Sequence, residues 1–237
     1  MIRISRNVYQ ISRFSSFLNL YLVVNDEIIT VVDTMLGPAD VQYLAAELAA
    51  AGWSLDQVKH ILLTHPHADH IGGLPALQAK TQASTYAHRI DAAVIRGQGE
   101  PEFALPGELN WLNRLLLRAI SRRPRPAPMR VDADLDDGDR LDHIAATLQV
   151  IHLPGHSSGQ VGYFLGEQNL LIGGDVMMNV FGSLRLPLRP VSPDWKAVKQ
   201  SIRRVNELGV DILCLGHGKV IFDARAKIEA FSQRLAD

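Results

Sequence analysis

The segment Ile61-Leu62-Leu63-Thr64-His65-Pro66-His67-Ala68-Asp69-His70 decides how this 237-residue chain is read. It joins an apolar run of strand length to three imidazoles and a carboxylate, in a chain with nine histidines in all. At a strand end His65 and His67 can point the same way, because side chains alternate with a period of two. Asp69 and His70 then fall where the chain turns into a helix, predicted from His70 to about Ala79. Gly72-Gly73 permits close backbone approach. Imidazole and carboxylate together suit zinc and similar borderline metals.

Three further candidates share this placement at the end of an apolar run. His156 lies in Pro154-Gly155-His156-Ser157-Ser158-Gly159, Asp175 in Gly173-Gly174-Asp175, and His217 in Gly216-His217-Gly218. In a layered α/β protein, strand ends along one edge form the site. Seven such groups on one edge would hold two metal ions.

Outward from these motifs, the first 33 residues read as β structure, with Asn25-Asp26 as a turn between β-branched runs that end at Asp33. Pro38 opens a helical pattern through Val41, Leu44, Ala45 and Leu48, closed by Gly52. Strands are predicted over 60–63, 84–87, 147–153, 161–165, 170–172 and 211–215. Helices are predicted over 90–95, 195–208 and 224–235. Strands and helices alternate in each half, which argues for an α/β sandwich, read as a single domain over 1–237. Residues 97–130 differ: a Gly/Pro loop precedes the helical stripe Trp111, Leu112, Leu115, Leu116, Ala119 and Ile120, and an Arg/Pro run follows. This region reads as a helical insertion or lid.

Composition excludes several classes. Apolar residues make up 47 % and charged residues 21 %, which are globular values. The net charge of −1 argues against a dedicated nucleic-acid partner. No apolar run is long enough to span a membrane, and no targeting segment is visible. A cytoplasmic protein with no membrane or nucleic-acid partner is expected, acting on a small molecule. The single cysteine, Cys214, permits no internal disulfide; within an apolar strand it reads as a small buried hydrophobe.

The H-x-H-x-D-H motif at 65–70, followed in order by His156, Asp175 and His217, resembles the metallo-β-lactamase-fold hydrolase superfamily, in its glyoxalase II-like or lactonase-like branch. The likeness spans nearly the whole chain, including Val31-Val32-Asp33-Thr34. It implies an αββα four-layer sandwich with the insertion at about 97–130. It also implies a metal-dependent hydrolase. One ion would take His65, His67 and His156, and the other Asp69, His70 and His217, with Asp175 bridging. Zinc comes first, with manganese or iron as alternatives. The implied chemistry is attack of a shared hydroxide on the carbonyl of a small ester, lactone or thioester, with Asp69 and Asp175 as the carboxylates that take part.

Subgroups differ from this chain at specific places. Zinc β-lactamases generally lack a bridging Asp, which Asp175 supplies here. Flavin-linked di-iron relatives carry Glu at the place of His67. Glyoxalase II proteins add a helical C-terminal region, whereas 20 residues follow His217 here. Some lactonases place Tyr three residues after the bridging Asp, where this chain has Met178.

Rival readings accompany these. The same fold could hold one iron as a persulfide-dioxygenase-like enzyme through His65-, His156- and Asp175-type ligation, or be a non-catalytic metal-binding domain. His60, His88, His143 and His152 read as ordinary core or surface histidines. The Trp111–Ile120 stripe reads first as packing, with a substrate lid or a homodimer face as the alternative. Arg118, Arg122, Arg123, Arg125 and Arg130 read as a solvated surface. Residues 177–193 are a candidate pocket wall.

Overall fold

The computed structural model describes residues 1–121 and 127–235. The chain opens with an antiparallel meander of β1 (Ile2–Arg3), β2 (Val8–Arg13), β3 (Leu18–Asn25) and β4 (Ile28–Val32). Helix α1 (Pro38–Ala50) crosses to β5 (Val58–Leu62), which lies parallel to β4. Helices α2 (Ala68–Ile71) and α3 (Leu74–Lys80) lead to β6 (Ser84–His88). Helices α4 (Arg89–Ile95) and α5 (Trp111–Ser121) precede β7 (Ala133–Leu135), and β5, β6 and β7 pair in parallel. Among the described residues these seven strands form one sheet in chain order.

The second sheet has the order β13-β10-β9-β8. Strands β8 (Leu148–His152), β9 (Val161–Leu165) and β10 (Leu170–Ile172) run antiparallel. A small hairpin, β11 (Met178–Val180) and β12 (Ser183–Arg185), follows. Then α6 (Trp195–Glu207) crosses to β13 (Ile212–Cys214), parallel to β10, and α7 (Ala224–Gln233) completes the order.

The period-two pattern explains the layering. On β3, Leu18, Leu20 and Leu22 pack against Val41, Leu44 and Leu48 of α1 and Leu74 and Leu77 of α3. Tyr21 and Val23, on the opposite face, meet Val150, Val161, Tyr163 and Ile172 of the second sheet. The outer face of that sheet, with Ile151, Leu171 and Leu213, is covered by Val198, Ile202 and Val205 of α6 and Ile228 and Phe231 of α7. Strands apolar on both faces can only be buried between two layers, so the order is α, β, β, α, as expected.

The structure corrects several local expectations. The helix predicted from His70 to about Ala79 is two helices, broken at Gly72-Gly73. A Cβ on Gly72 would lie 2.1 Å from the carbonyl oxygen of Leu36, and one on Gly73 2.2 Å from that of Thr34. The 34–36 backbone therefore passes where a continuous helix would stand. Strand β7 and the β11–β12 hairpin, three residues each, carry too little pattern to be read in advance. The α5 stripe is not core packing: Leu117 is buried, while Trp111, Leu112, Leu115 and Leu116 are exposed, Trp111 at 77 %. Of the arginine run, Arg122, Arg123 and Arg125 lie outside the described residues.

Gly72→Ala is expected to cost at least about 3 kcal/mol, the upper range for overpacking against immobile atoms, when measured by urea denaturation. A loss below about 1 kcal/mol would show that the junction relaxes freely.

Candidate metal centre

Each candidate ligand follows the C-terminal end of a strand. His65 and His67 come directly after β5, and His67 caps α2, which carries Asp69 and His70. His156 follows β8, Asp175 follows β10 and His217 follows β13. The strands β8, β10 and β13 end on one edge of their sheet. That edge is tied to β5 by the bond from the Val161 amide to the Thr64 carbonyl, 2.9 Å.

All seven side chains converge. The ligand atoms of His65, His67 and His156 lie within 4.8 Å of one another, and so do those of Asp69, His70 and His217. These are the two sets expected for two ions. His67 Nδ1 stands 2.9 Å from His156 Nε2. Asp175 touches both sets: Oδ2 lies 3.4 Å from His156 Nε2 and 3.1 Å from His217 Nε2, and Oδ1 lies 3.5 Å from His70 Nε2. His65, His70 and Asp175 form a third set of the same compactness.

Outer partners aim the rings. Asp33 accepts from the Thr64 amide, the Thr64 hydroxyl and His70 Nδ1, each at 2.8 Å. The Thr64 hydroxyl, having donated to Asp33, accepts from His65 Nδ1 at 3.0 Å. Ser192 donates to the Leu188 carbonyl and accepts from His156 Nδ1 at 3.0 Å. His217 Nδ1 donates to the Phe17 carbonyl. With Nδ1 engaged on these four rings, Nε2 is the nitrogen that faces the centre. His67 is turned the other way and presents Nδ1 to the cluster.

The donor set fits divalent metal. His65 Nε2, His70 Nε2 and Asp175 Oδ1 are buried without a hydrogen-bond partner. Each such atom costs about 1–3 kcal/mol, and three together rival a large share of the roughly 5–15 kcal/mol that stabilises a typical domain. Ions bound among them would satisfy all three. Imidazole nitrogens with carboxylate oxygens are the ligands of zinc and its neighbours.

The two sets differ in charge. Burial, with the neighbouring imidazoles, holds His65 well below its ordinary value, and burial pushes His67 down to about 3. For His70 burial is outweighed by Asp175, Asp33 and Asp69, which push it up to about 9. For His217 burial is outweighed by Asp175 and Asp69, which push it to about 11. Asp69 and Asp175 are held well below the carboxylate range: burial opposes this, but the charges of His70 and His217 prevail.

Asp33, Thr64 and Ser192 were not identified as site residues from sequence. Asp33 had a signal, a carboxylate at the end of a buried apolar run; Ser192 had none. His60 meets His143 edge-on near Tyr86, and His88 stacks on His152 at 4.3 Å, outside the cluster. Cys214 is fully buried, and burial pushes its thiol up.

The model of the metallo-beta-lactamase superfamily matches residues 16–217. The chain is 32 % identical over 117 residues to the probable metallo-hydrolase YqgX of Bacillus subtilis, covering 49 % of this chain and 48 % of that one. It is 27 % identical over 169 residues to a hydroxyacylglutathione hydrolase of Ectopseudomonas mendocina, covering 71 % and 51 %. It thus spans about half the length of these curated relatives. Among solved structures it is similar to the metallo-beta-lactamase family protein TTHA1429 of Thermus thermophilus, with TM-score 0.70, 27 % identity and coverage of 97 % and 79 %. It is also similar to TTHA1623 in a di-iron-bound form, with TM-score 0.65, 27 % identity and coverage of 92 % and 96 %.

Neighbouring carboxylates favour the protonated forms of His70 and His217 in the metal-free chain, and burial favours the neutral forms of His65 and His67. A metal entering the Asp69/His70/His217 set must therefore expel protons, and its affinity should fall about tenfold per proton for each pH unit below 9. His65 and His67 themselves should release none in the neutral range. Calorimetry in buffers of different ionisation enthalpy checks this, and equal proton release from both sets would contradict it.

Proposed function

The chain belongs to the metallo-β-lactamase superfamily, and from that premise we propose that it hydrolyses a small ester, lactone or thioester with two divalent ions, zinc first. The observation that carries this reading is Asp175, placed between two complete three-ligand sets and within 3.5 Å of a ring nitrogen in each. When bound, such a pair supplies Lewis acidity toward a carbonyl and brings the pKa of a water to about 7.

The protein's own groups supply the rest. Asp69 is the most exposed of the carboxylates in the cluster and is held ionised, so it can accept a hydrogen bond from a water entering the site and orient it. Asp175, ionised and buried, counters the charge that the ions bring. Asp33, Thr64 and Ser192 keep the rings aimed without moving during reaction. Met178, buried in β11, has no proton to donate. A thiol nucleophile is not required, and Cys214 is fully buried in β13.

The rim favours an apolar acyl group. Helix α5 packs on the turn 189–191, next to Ser192 and hence His156, and leaves Trp111, Leu112, Leu115 and Leu116 uncovered. Across the cluster, the exposed Phe17 ring lies 5.3 Å from His217. The likeness to a hydroxyacylglutathione hydrolase supports a thioester among the candidates. A single-iron oxygenase would leave Asp69, His70 and His217 without a task, although these form one of the two compact sets. Among the described residues no helix is long and apolar enough to cross a membrane. We place the enzyme in the cytoplasm, where its lone thiol stays reduced.

Metal analysis is expected to find close to two ions per chain, with turnover on an ester, lactone and thioester panel. One iron with oxygen consumption would overturn the hydrolase. His67→Ala should lose about one ion and lower hydrolysis at least about 100-fold, the upper end of what losing even an outer partner costs. Cys214→Ser should leave hydrolysis largely intact. The double variant Leu112→Glu, Leu115→Glu should lower kcat/KM for long-chain acyl substrates and spare short ones. Loss of a dimer on gel filtration, with kinetics unchanged, would instead assign that face to a second copy.

A further inference from the structure

We propose that Asp91 is a positioning residue for the three-histidine set: it bolts the loop that carries His156 to the half of the molecule that carries His65 and His67. The clamp rests on the metal-hydrolase reading only for what fills that set.

His65 and His67 belong to the first sheet, and His156 to a loop of the second, so their spacing is set across the interface between the two halves. Asp91 stands in the first turn of α4, on the first half, and is 2 % exposed. Its Oδ2 accepts from the Ser157 hydroxyl at 2.6 Å, and its Oδ1 accepts from the Gly159 amide at 3.0 Å. These donors flank His156 on its C-terminal side. A Cβ on Gly159 would lie 2.6 Å from the Asp91 carboxyl carbon, so the loop is drawn against this side chain as closely as a glycine allows. On the opposite side the loop is held by α6, where Ser201 donates to the Pro154 carbonyl at 2.7 Å, and by Ser192 on the His156 ring. His156 is thus gripped between α4 and α6.

The chemistry of the contact is unusual for mere packing. Among the described residues no cation pairs with Asp91. Glu102, the charged neighbour that acts on it, is of like sign. Burial pushes the carboxyl up to about 7, against the two hydrogen bonds that favour its ionised form. A buried carboxyl without a counter-charge is costly, and an apolar residue would fill the helix face without that penalty. What this side chain provides, and an apolar one cannot, is two polar atoms spaced to hold both an amide and a hydroxyl of one loop.

The geometry separates position from charge. In Asp91→Asn the side-chain oxygen can still accept from Gly159, and its NH2 can donate to Ser157. In Asp91→Ala both loop donors are left buried and unpaired. The test is a zinc titration against a chromophoric chelator on the full chain, with ring 15N signals of His156 read in the metal-free protein. Asp91→Ala is expected to weaken the three-histidine set about 10–100-fold, leave the Asp69/His70/His217 set unchanged and shift the His156 tautomer signals. Asp91→Asn should stay close to wild type. If Asp91→Ala does not fold, Ser157→Ala removes one of the two bonds from the loop side and should weaken the same set selectively. Unchanged affinity and unchanged His156 signals in Asp91→Ala would overturn the clamp. So would Asp91→Asn as damaging as Asp91→Ala. Wild-type protein that binds fewer than two ions would end the two-metal reading, while the His156 signals still decide the clamp.

Discussion

The carboxylate of Asp33 accepts three hydrogen bonds and donates none, and the site is organised around it. Through the Thr64 amide it fixes the end of β5, through the Thr64 hydroxyl it orients His65, and through Nδ1 it orients His70. One buried group therefore aims one ring in each of the two three-ligand sets. Asp33 itself has φ 63, in the left-handed region, and Met35 has φ 59. Non-glycine residues hold that conformation only where surrounding structure over-determines it. Here the constraint is visible: the 34–36 backbone passes so close to Gly72-Gly73 that no side chain fits between them.

The two sets are electrically unlike, although each draws two of its three members from the six residues 65–70. His65 and His67 face other imidazoles and burial, which favours neutral rings. His70 and His217 face Asp33, Asp69 and Asp175, which favours protonated ones. The difference arises from which carboxylates lie within reach. Neutral imidazoles leave a bound ion its full charge and hence its strength as a Lewis acid. The carboxylate-rich side would balance more of an ion's charge. Asp175 lies within 3.5 Å of a ring nitrogen in each set.

Much of the architecture was legible because it rests on short-range patterns. The alternation along β3 and β4, the helical spacing from Pro38, and the placement of each ligand motif after an apolar run all follow from local periodicity. The same logic failed for α5, where a strong apolar stripe is left exposed. Periodicity reports that a face is apolar but not what covers it. It failed again at Gly72-Gly73, where a distant segment interrupts a helix that the local pattern would continue. Strands of three residues such as β7 and β12 owe their existence to neighbours rather than to their own composition.

By itself the sequence determined the candidate ligand types, their order and their positions at strand ends, because the capacity to coordinate is a property of side chains and strand ends share an edge in layered folds. Only the tertiary structure decided which carboxylates stand beside each ring, which nitrogen each presents, and which residues far along the chain hold them. Asp33, Ser192 and Asp91 matter through distances of about 3 Å to groups up to 68 positions away. Contacts at that range are set by how segments distant in sequence pack on one another, which no local pattern encodes.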